Sequence, residues 1–313
     1  MPRRFFIREH LQKAKAYKSA LEWRGYKQVS RVQRANIVFF DHDIDWSRKG
    51  NRSVCYTCHR LGVPFFIYPH TGRVPVLWDL NFAWEHTACN FVQAKGDVEV
   101  LRRLEYPCPV EAVGWSYSEI KPFQPSTING KPKVLFAPIH PLGNGYLHPP
   151  DMDINFKTFK LLLKYIDYID LTVRHVGELG QNKIWKRSGV KYVKGYPDNS
   201  IQEIEEADVV ISAFTHAYIS IALGKPTIMI GESIRPHAGS NLRDIYWGMN
   251  WDRYRDYIHY PFNAEDCFDN PMTLMDMIGQ VIRYNRSVTI WKDKFIGEPF
   301  RPNYFIDVME SYL

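Results

Sequence analysis

Short runs of β-branched and aromatic residues alternate along the chain with stretches whose apolar residues recur every three or four positions. The runs, bounded by turn residues, read as buried strands; the stretches read as helices packed on a sheet. The pattern predicts strands over 4–7, 36–40, 64–68, 90–93 and 110–113, with helices over 9–23, 53–61 and 97–104 among them. In the first helix Leu11, Ala14, Lys18 and Leu21 fall at helical spacing, and Gly25 follows its end. A second alternation predicts strands over 134–137, 171–174, 208–212 and 226–230. Its helices fall over 156–166, 201–206 (capped by Asn199 or Ser200), 216–223, 272–284 and 304–312. Such alternation implies parallel sheets covered on both faces. Residues 119–132 carry three prolines and one glycine without periodicity, the signature of a linker. The predicted fold class is α/β, two Rossmann-like doubly wound domains facing each other across a cleft. The first spans 1–120, a linker 121–132 and the second 133–290, with a tail over 291–313 expected to pack back on the first. In such folds ligands bind at the carboxyl ends of the strands.

Charge adds a second layer. The net charge is +6, but residues 1–36 alone hold ten Lys/Arg against two Asp/Glu. A basic region on a near-neutral body suits an anionic partner: nucleic acid, a phosphorylated substrate or a membrane surface. A solvated basic helix face is the alternative. No run approaches the ~20 apolar residues of a membrane helix, and the N-terminus lacks the apolar core of a secretory signal. A cytoplasmic protein without membrane attachment is therefore expected, Phe5-Phe6 being the one weak candidate for membrane docking. Five cysteines fit reduced thiols. Cys55, Cys58 and His59 match the c-type haem spacing letter for letter, yet they fall in a predicted helix and export is not expected. A zinc site would need a fourth ligand such as Cys89, and adjacent Cys58 and His59 suit one tetrahedral ion poorly. Buried free thiols are the favoured reading.

The segment 193–231 is the most informative. A short acidic helix leads to an apolar strand ending at Ser212. A small polar turn opens the next helix, which closes on Leu223-Gly224-Lys225-Pro226 before another apolar strand. Backbone N–H groups over 213–216 face the strand ends, a ready site for a diphosphate. Gly224 suits the helix end and Pro226 a sharp stop. This order also resembles the donor domain of GT-B glycosyltransferases, among them lipid-linked GlcNAc transferases, UDP-GlcNAc epimerases and CDP-glycerol glycerophosphotransferases. The resemblance implies diphosphate contacts at Ser212, Thr215 and His216, and a base-receiving loop over 193–197 that includes Tyr196. It also implies a phosphate-lining loop over 140–145 with Gly143 and Asn144. Those families place an acidic residue five positions before the helix-ending glycine. Ile219 stands there instead, so that either Glu232 takes over ribose recognition or the donor is gripped differently. Arg174 and Arg235 are candidate diphosphate partners.

Transfer to a hydroxyl needs a base for the acceptor and dipoles for the leaving diphosphate. His70 is the first candidate base, its setting similar to the His-Gly turn of glycerophosphotransferases, and Asp41 the second. The expected co-substrate is a nucleotide sugar, a UDP-sugar first, with no tightly bound cofactor and no metal requirement. Three acceptor readings stand side by side. One is double-stranded DNA carrying hydroxymethylated pyrimidines, as for phage DNA glucosyltransferases; Arg48, Arg73, Trp247 and Arg253 are its candidate contacts, around a flipped base. The second is a cell-envelope polymer or lipid. The third, of another class, is a non-catalytic nucleotide or nucleic-acid binder.

Overall fold

The structure, a computed structural model, describes residues 3–7, 14–41, 49–69, 87–103, 108–125, 127–138, 149–175, 189–194, 200–230, 260–269 and 273–313. They fall into two units, each built on one parallel sheet. The first unit runs to Tyr117 and takes in Asp293–Leu313; the described residues from Ser118 to Lys292 form the second.

In the first unit the strands are β1 (Arg4–Ile7), β2 (Lys27–Gln28), β3 (Ile37–Asp41), β4 (Phe65–Tyr68), β5 (Thr87–Val92) and β6 (Val110–Ala112). Their order is β2-β1-β3-β4-β5-β6, and every pairing is parallel. The helices are α1 (Lys15–Trp23), α2 (Lys49–Leu61) and α3 (Lys95–Arg103). Alternation along β1 decides how its two faces are covered. Phe5 and Ile7 join Tyr17 and Leu21 of α1 in one core. Phe6 packs into the opposite core with Val32, Ala35 and Cys58 of α2. Phe5-Phe6 is thus internal packing rather than a membrane-docking patch.

The second unit holds β7 (Lys133–Ala137), β8 (Asp170–His175), β9 (Lys191–Lys194), β10 (Val209–Ser212) and β11 (Thr227–Met229). The order is β11-β10-β7-β8-β9, again all parallel. Its helices are α4 (Pro149–Leu163), α5 (Ser200–Glu206), α6 (Phe214–Ala222) and α7 (Leu274–Ile282), the last opened by a capping box between Thr273 and Asp276.

The chain passes from the second unit to the first within α8 (Arg286–Phe295) and ends in α9 (Pro302–Glu310). Phe39, Phe66 and Phe91 stack in line across β3, β4 and β5, with centroids 5.3 and 5.7 Å apart. Phe305 of α9 meets Phe91 edge-on at 4.9 Å. Phe305, Ile306 and Met309 are all buried there, so the C-terminal helix completes the first unit's core.

Several elements differ from the sequence pattern. β2, β9 and α8 have no counterpart in it: β2 has two residues, β9 (KYVK) has lysines at both ends, and α8 mixes charge with apolar positions. α4 starts at Pro149, earlier than the expected 156, because proline is tolerated in a first helical turn. α2 starts at Lys49. Ser200 lies inside α5 rather than capping it. Val193, the expected start of the base-receiving loop, lies within β9, paired with Arg174 of β8. Among the described residues no helix is long and apolar enough to cross a membrane.

Candidate functional site

Strand order locates the site in the second unit. From β7 the chain moves through α4 to β8 on one side; from β10 it moves through α6 to β11 on the other. The carboxyl ends of β7 and β10 therefore flank the point where the winding reverses, where doubly wound sheets take their ligands. The Ser212 hydroxyl donates to the Ala137 carbonyl at 3.0 Å and ties these two strand ends together. Ser212 is buried between these strand ends.

One residue, Ala213, separates β10 from α6. Its backbone is extended (φ −117°, ψ 161°) and its methyl group cannot cap the helix. The first turn of α6 has no acidic residue. The leading N–H groups of α6 thus open at the switch point with neither a capping side chain at Ala213 nor a carboxylate in the turn. This is the electrostatic setting that favours an anion. Thr215 and His216 lie within that turn rather than in a loop ahead of it, and His216 is half-buried.

The other end of α6 is tightly held. Gly224 has φ +75°, and a Cβ there would meet the Pro122 carbonyl oxygen at 2.1 Å. Lys121 N–H donates to the Ala222 carbonyl (2.8 Å), and Gln124 N–H to the Gly224 carbonyl (3.2 Å). The buried Lys292 ammonium donates to the Ala222 carbonyl (3.0 Å) and to that of Lys121. Lys225 in turn donates to the Glu205 and Ala207 carbonyls at the end of α5, 2.5 and 3.0 Å away. Burial lowers its pKa. Cations at helix C-termini satisfy the last carbonyls and oppose the dipole. The Leu223–Pro226 motif is therefore the seat of the segment that follows Tyr117. Lys292 and Lys225 escape a reading of the sequence because a lone lysine in a mixed pattern carries no positional signal.

Arg174 is buried at the end of β8 and its guanidinium pairs with Glu203 of α5. Glu203 takes one side of the fork, while the buried Nε has no hydrogen-bond partner among the described residues. In the first unit, Asp41 ends β3 and is register partner to Tyr68, the last residue of β4. His70 follows two residues later, and the Tyr117 hydroxyl donates to the Pro69 carbonyl just before it (2.8 Å). Asp41 and Tyr68 thus end neighbouring strands at one carboxyl edge. Cys58, Cys89, Cys108 and Cys267 are buried free thiols, and burial pushes Cys58 up to about 11 and Cys89 to about 12. Among the described residues no group of three His, Cys, Asp or Glu is placed to hold a metal.

His70, Gly143, Asn144, Tyr196, Glu232, Arg235, Arg48, Arg73, Trp247 and Arg253 lie outside the described residues, as do the side chains of Asp41 and Thr215.

No protein-family model matches the sequence, and no curated protein matches it. Solved structures do match. Spinosyn rhamnosyltransferase SpnG superposes with a TM-score of 0.60 at 9% identity, over 99% of this chain and all of that one. MurG of Acinetobacter baumannii gives 0.51 at 9%, covering 99% and 100%. The wall teichoic acid polymerase TagF gives 0.50 at 10%, covering 99% and 88%. The chain has the GT-B fold. SpnG has also been solved with thymidine diphosphate.

Proposed function

We propose that the protein is a glycosyltransferase that moves a sugar from a nucleotide-sugar donor to a hydroxyl acceptor. The observation that carries this is the uncapped, acid-free start of α6 at the winding reversal of the second sheet. Breaking the bond between sugar and diphosphate leaves negative charge on the diphosphate. The N–H groups and dipole of α6 are fixed before the reaction and meet that charge as it develops. Thr215 and His216 add donors from the same turn, Gly143 and Asn144 from the connection after β7, Tyr196 receives the nucleoside base and Glu232 grips the ribose. A UDP-sugar is the first donor to test, and EDTA should leave turnover intact. His70, with Asp41 next, takes the acceptor proton. Support for the donor class comes from the shared fold and from the nucleoside diphosphate held by one protein of that fold.

For the acceptor, the charge placement favours double-stranded DNA bearing a hydroxymethylated pyrimidine, extruded from the helix for reaction. The test is mass spectrometry after incubation with UDP-, TDP-, GDP- and CDP-sugars. Acceptors are hydroxymethylated duplex DNA, unmodified DNA and a poly(glycerol phosphate). Release of nucleoside diphosphate with a hexose or pentose mass gain on the modified DNA is expected. A gain only on the polymer overturns the acceptor; no release from any donor overturns the transferase reading.

A further inference from the structure

Two groups of basic residues in the first unit stand in contrast. Arg3 and Arg24 are both engaged by Glu310 of α9, at 2.5 and 2.9 Å. Tyr26 donates to the same carboxylate at 3.1 Å. Those cations serve the fold, docking the C-terminal helix beside α1.

The opposite face is different. There the 3-10 turn at Val32–Arg34 and helix α2 lie side by side over β3 and β4, joined through Val32, Ala35, Val54 and Cys58. Exposed cations on this side are Lys27 of the edge strand β2, Arg31 and Arg34 at the turn, and Arg60 of α2. None of the four forms an ion pair with a described residue. Across 23–40 and 46–78 the sequence has no Asp or Glu at all. The face therefore combines exposed cations with two long carboxylate-free stretches, Asp41, Asp43 and Asp45 falling between them. Tyr56, 54% exposed, and His59 share the outer side of α2 with Arg60, one helical turn apart.

We propose that this face, formed by the 3-10 turn and α2, is a docking surface for the phosphate backbone of duplex DNA. Clustered cations gain affinity from a polyphosphate by releasing its condensed counterions, whatever the base sequence. Guanidinium forks suit phosphate oxygens better than point charges do, and three of the four cations are arginines. An anionic membrane fits less well. Interfacial helices bury a continuous apolar stripe, whereas the described exposed residues of α2 are Tyr56, His59, Arg60 and a single aliphatic, Leu61, and Phe5 is in the core. The direction of α2 also suits delivery. It follows β3 and runs antiparallel to it, so its start lies at the carboxyl edge where Asp41 ends β3. Thirteen residues give it a length of about 20 Å, enough for DNA held along it to reach that edge. The purpose of the surface rests on the DNA-acceptor reading above; the binding itself does not.

The test uses the full chain and a fluorescent 30-base-pair duplex, with anisotropy recorded across a salt series. The variants are the quadruple Lys27→Ala/Arg31→Ala/Arg34→Ala/Arg60→Ala and a control, Lys131→Ala/Lys164→Ala, on exposed sites of the second unit. Circular dichroism and Tm check that each folds. The quadruple variant is expected to raise Kd by on the order of 100-fold at low salt and to flatten the log K–log salt slope by roughly 0.9 for each phosphate no longer neutralised. The control should match wild type. If the quadruple variant does not fold, Arg31→Glu and Arg60→Glu singly must each weaken binding by about tenfold. Unchanged affinity and slope in a folded variant overturn the proposal. So does wild-type protein that binds phosphatidylglycerol vesicles but no DNA. Loss of DNA binding in a protein that transfers no sugar would remove the transferase reading and leave this surface standing.

Discussion

Asp97 sits in the first turn of α3 with its side chain buried and one oxygen accepting the Ala94 N–H at 3.0 Å. Burial pushes its pKa up to about 7 from the ordinary carboxylate value, partly opposed by N–H donors of Ala94 and Gln93. The folded state therefore holds this proton more tightly than the unfolded chain. The stabilisation is complete below the unfolded pKa and is lost as pH rises through about 7. Asp97→Asn keeps an oxygen for the Ala94 N–H and removes the titration. Its Tm should come closest to wild type below about pH 4 and exceed it by about 3 °C or more near pH 8.5; an equal gap at both pH values would refute the assignment. At this scale the sequence reveals backbone demands better than side-chain partners. Gly224 is legible because a helix end followed by proline favours glycine. The pairing of Arg174 with Glu203 is not, because residues 29 positions apart meet only through the β8–β9–α5 path.

At the scale of elements, α6 links two roles. Its first turn faces the winding reversal, and its last carbonyls are held by Lys292 and by the Lys121–Gln124 stretch. Lys292→Met removes a charged donor from the buried Ala222 carbonyl and the part-buried Lys121 carbonyl, each such bond worth up to about 1.5–3 kcal/mol. Amides over 119–124 and 219–224 should then exchange with solvent faster while those of β7 and β8 keep their protection. Unaltered exchange in both stretches would show that the lysine is dispensable. The long strands and amphipathic helices are legible from hydrophobic period alone, since burial on one or both faces imposes it. β2 and β9 escape because a short edge strand is defined by its neighbour's hydrogen bonds, here β1 and β8, and not by a pattern of its own.

For the molecule as a whole, the α/β alternation makes the fold class legible, since parallel strands require crossover helices. Position within the sheet is less so. That β7 neighbours β10 follows from the crossover after α5, and only the observed strand order brings Ser212 and Ala137 together. The proposed activity rests on the anion site this order creates. The most direct test is calorimetric titration with uridine and thymidine diphosphates, comparing wild type with His216→Asp. An aspartate in the first turn of α6 favours the helix dipole, so the variant should keep its Tm. The same charge opposes a diphosphate at that turn. Wild type is expected to bind a nucleoside diphosphate with micromolar affinity, and the variant at least about tenfold more weakly. Equal affinity in the two proteins, or no nucleotide bound by either, would contradict the account.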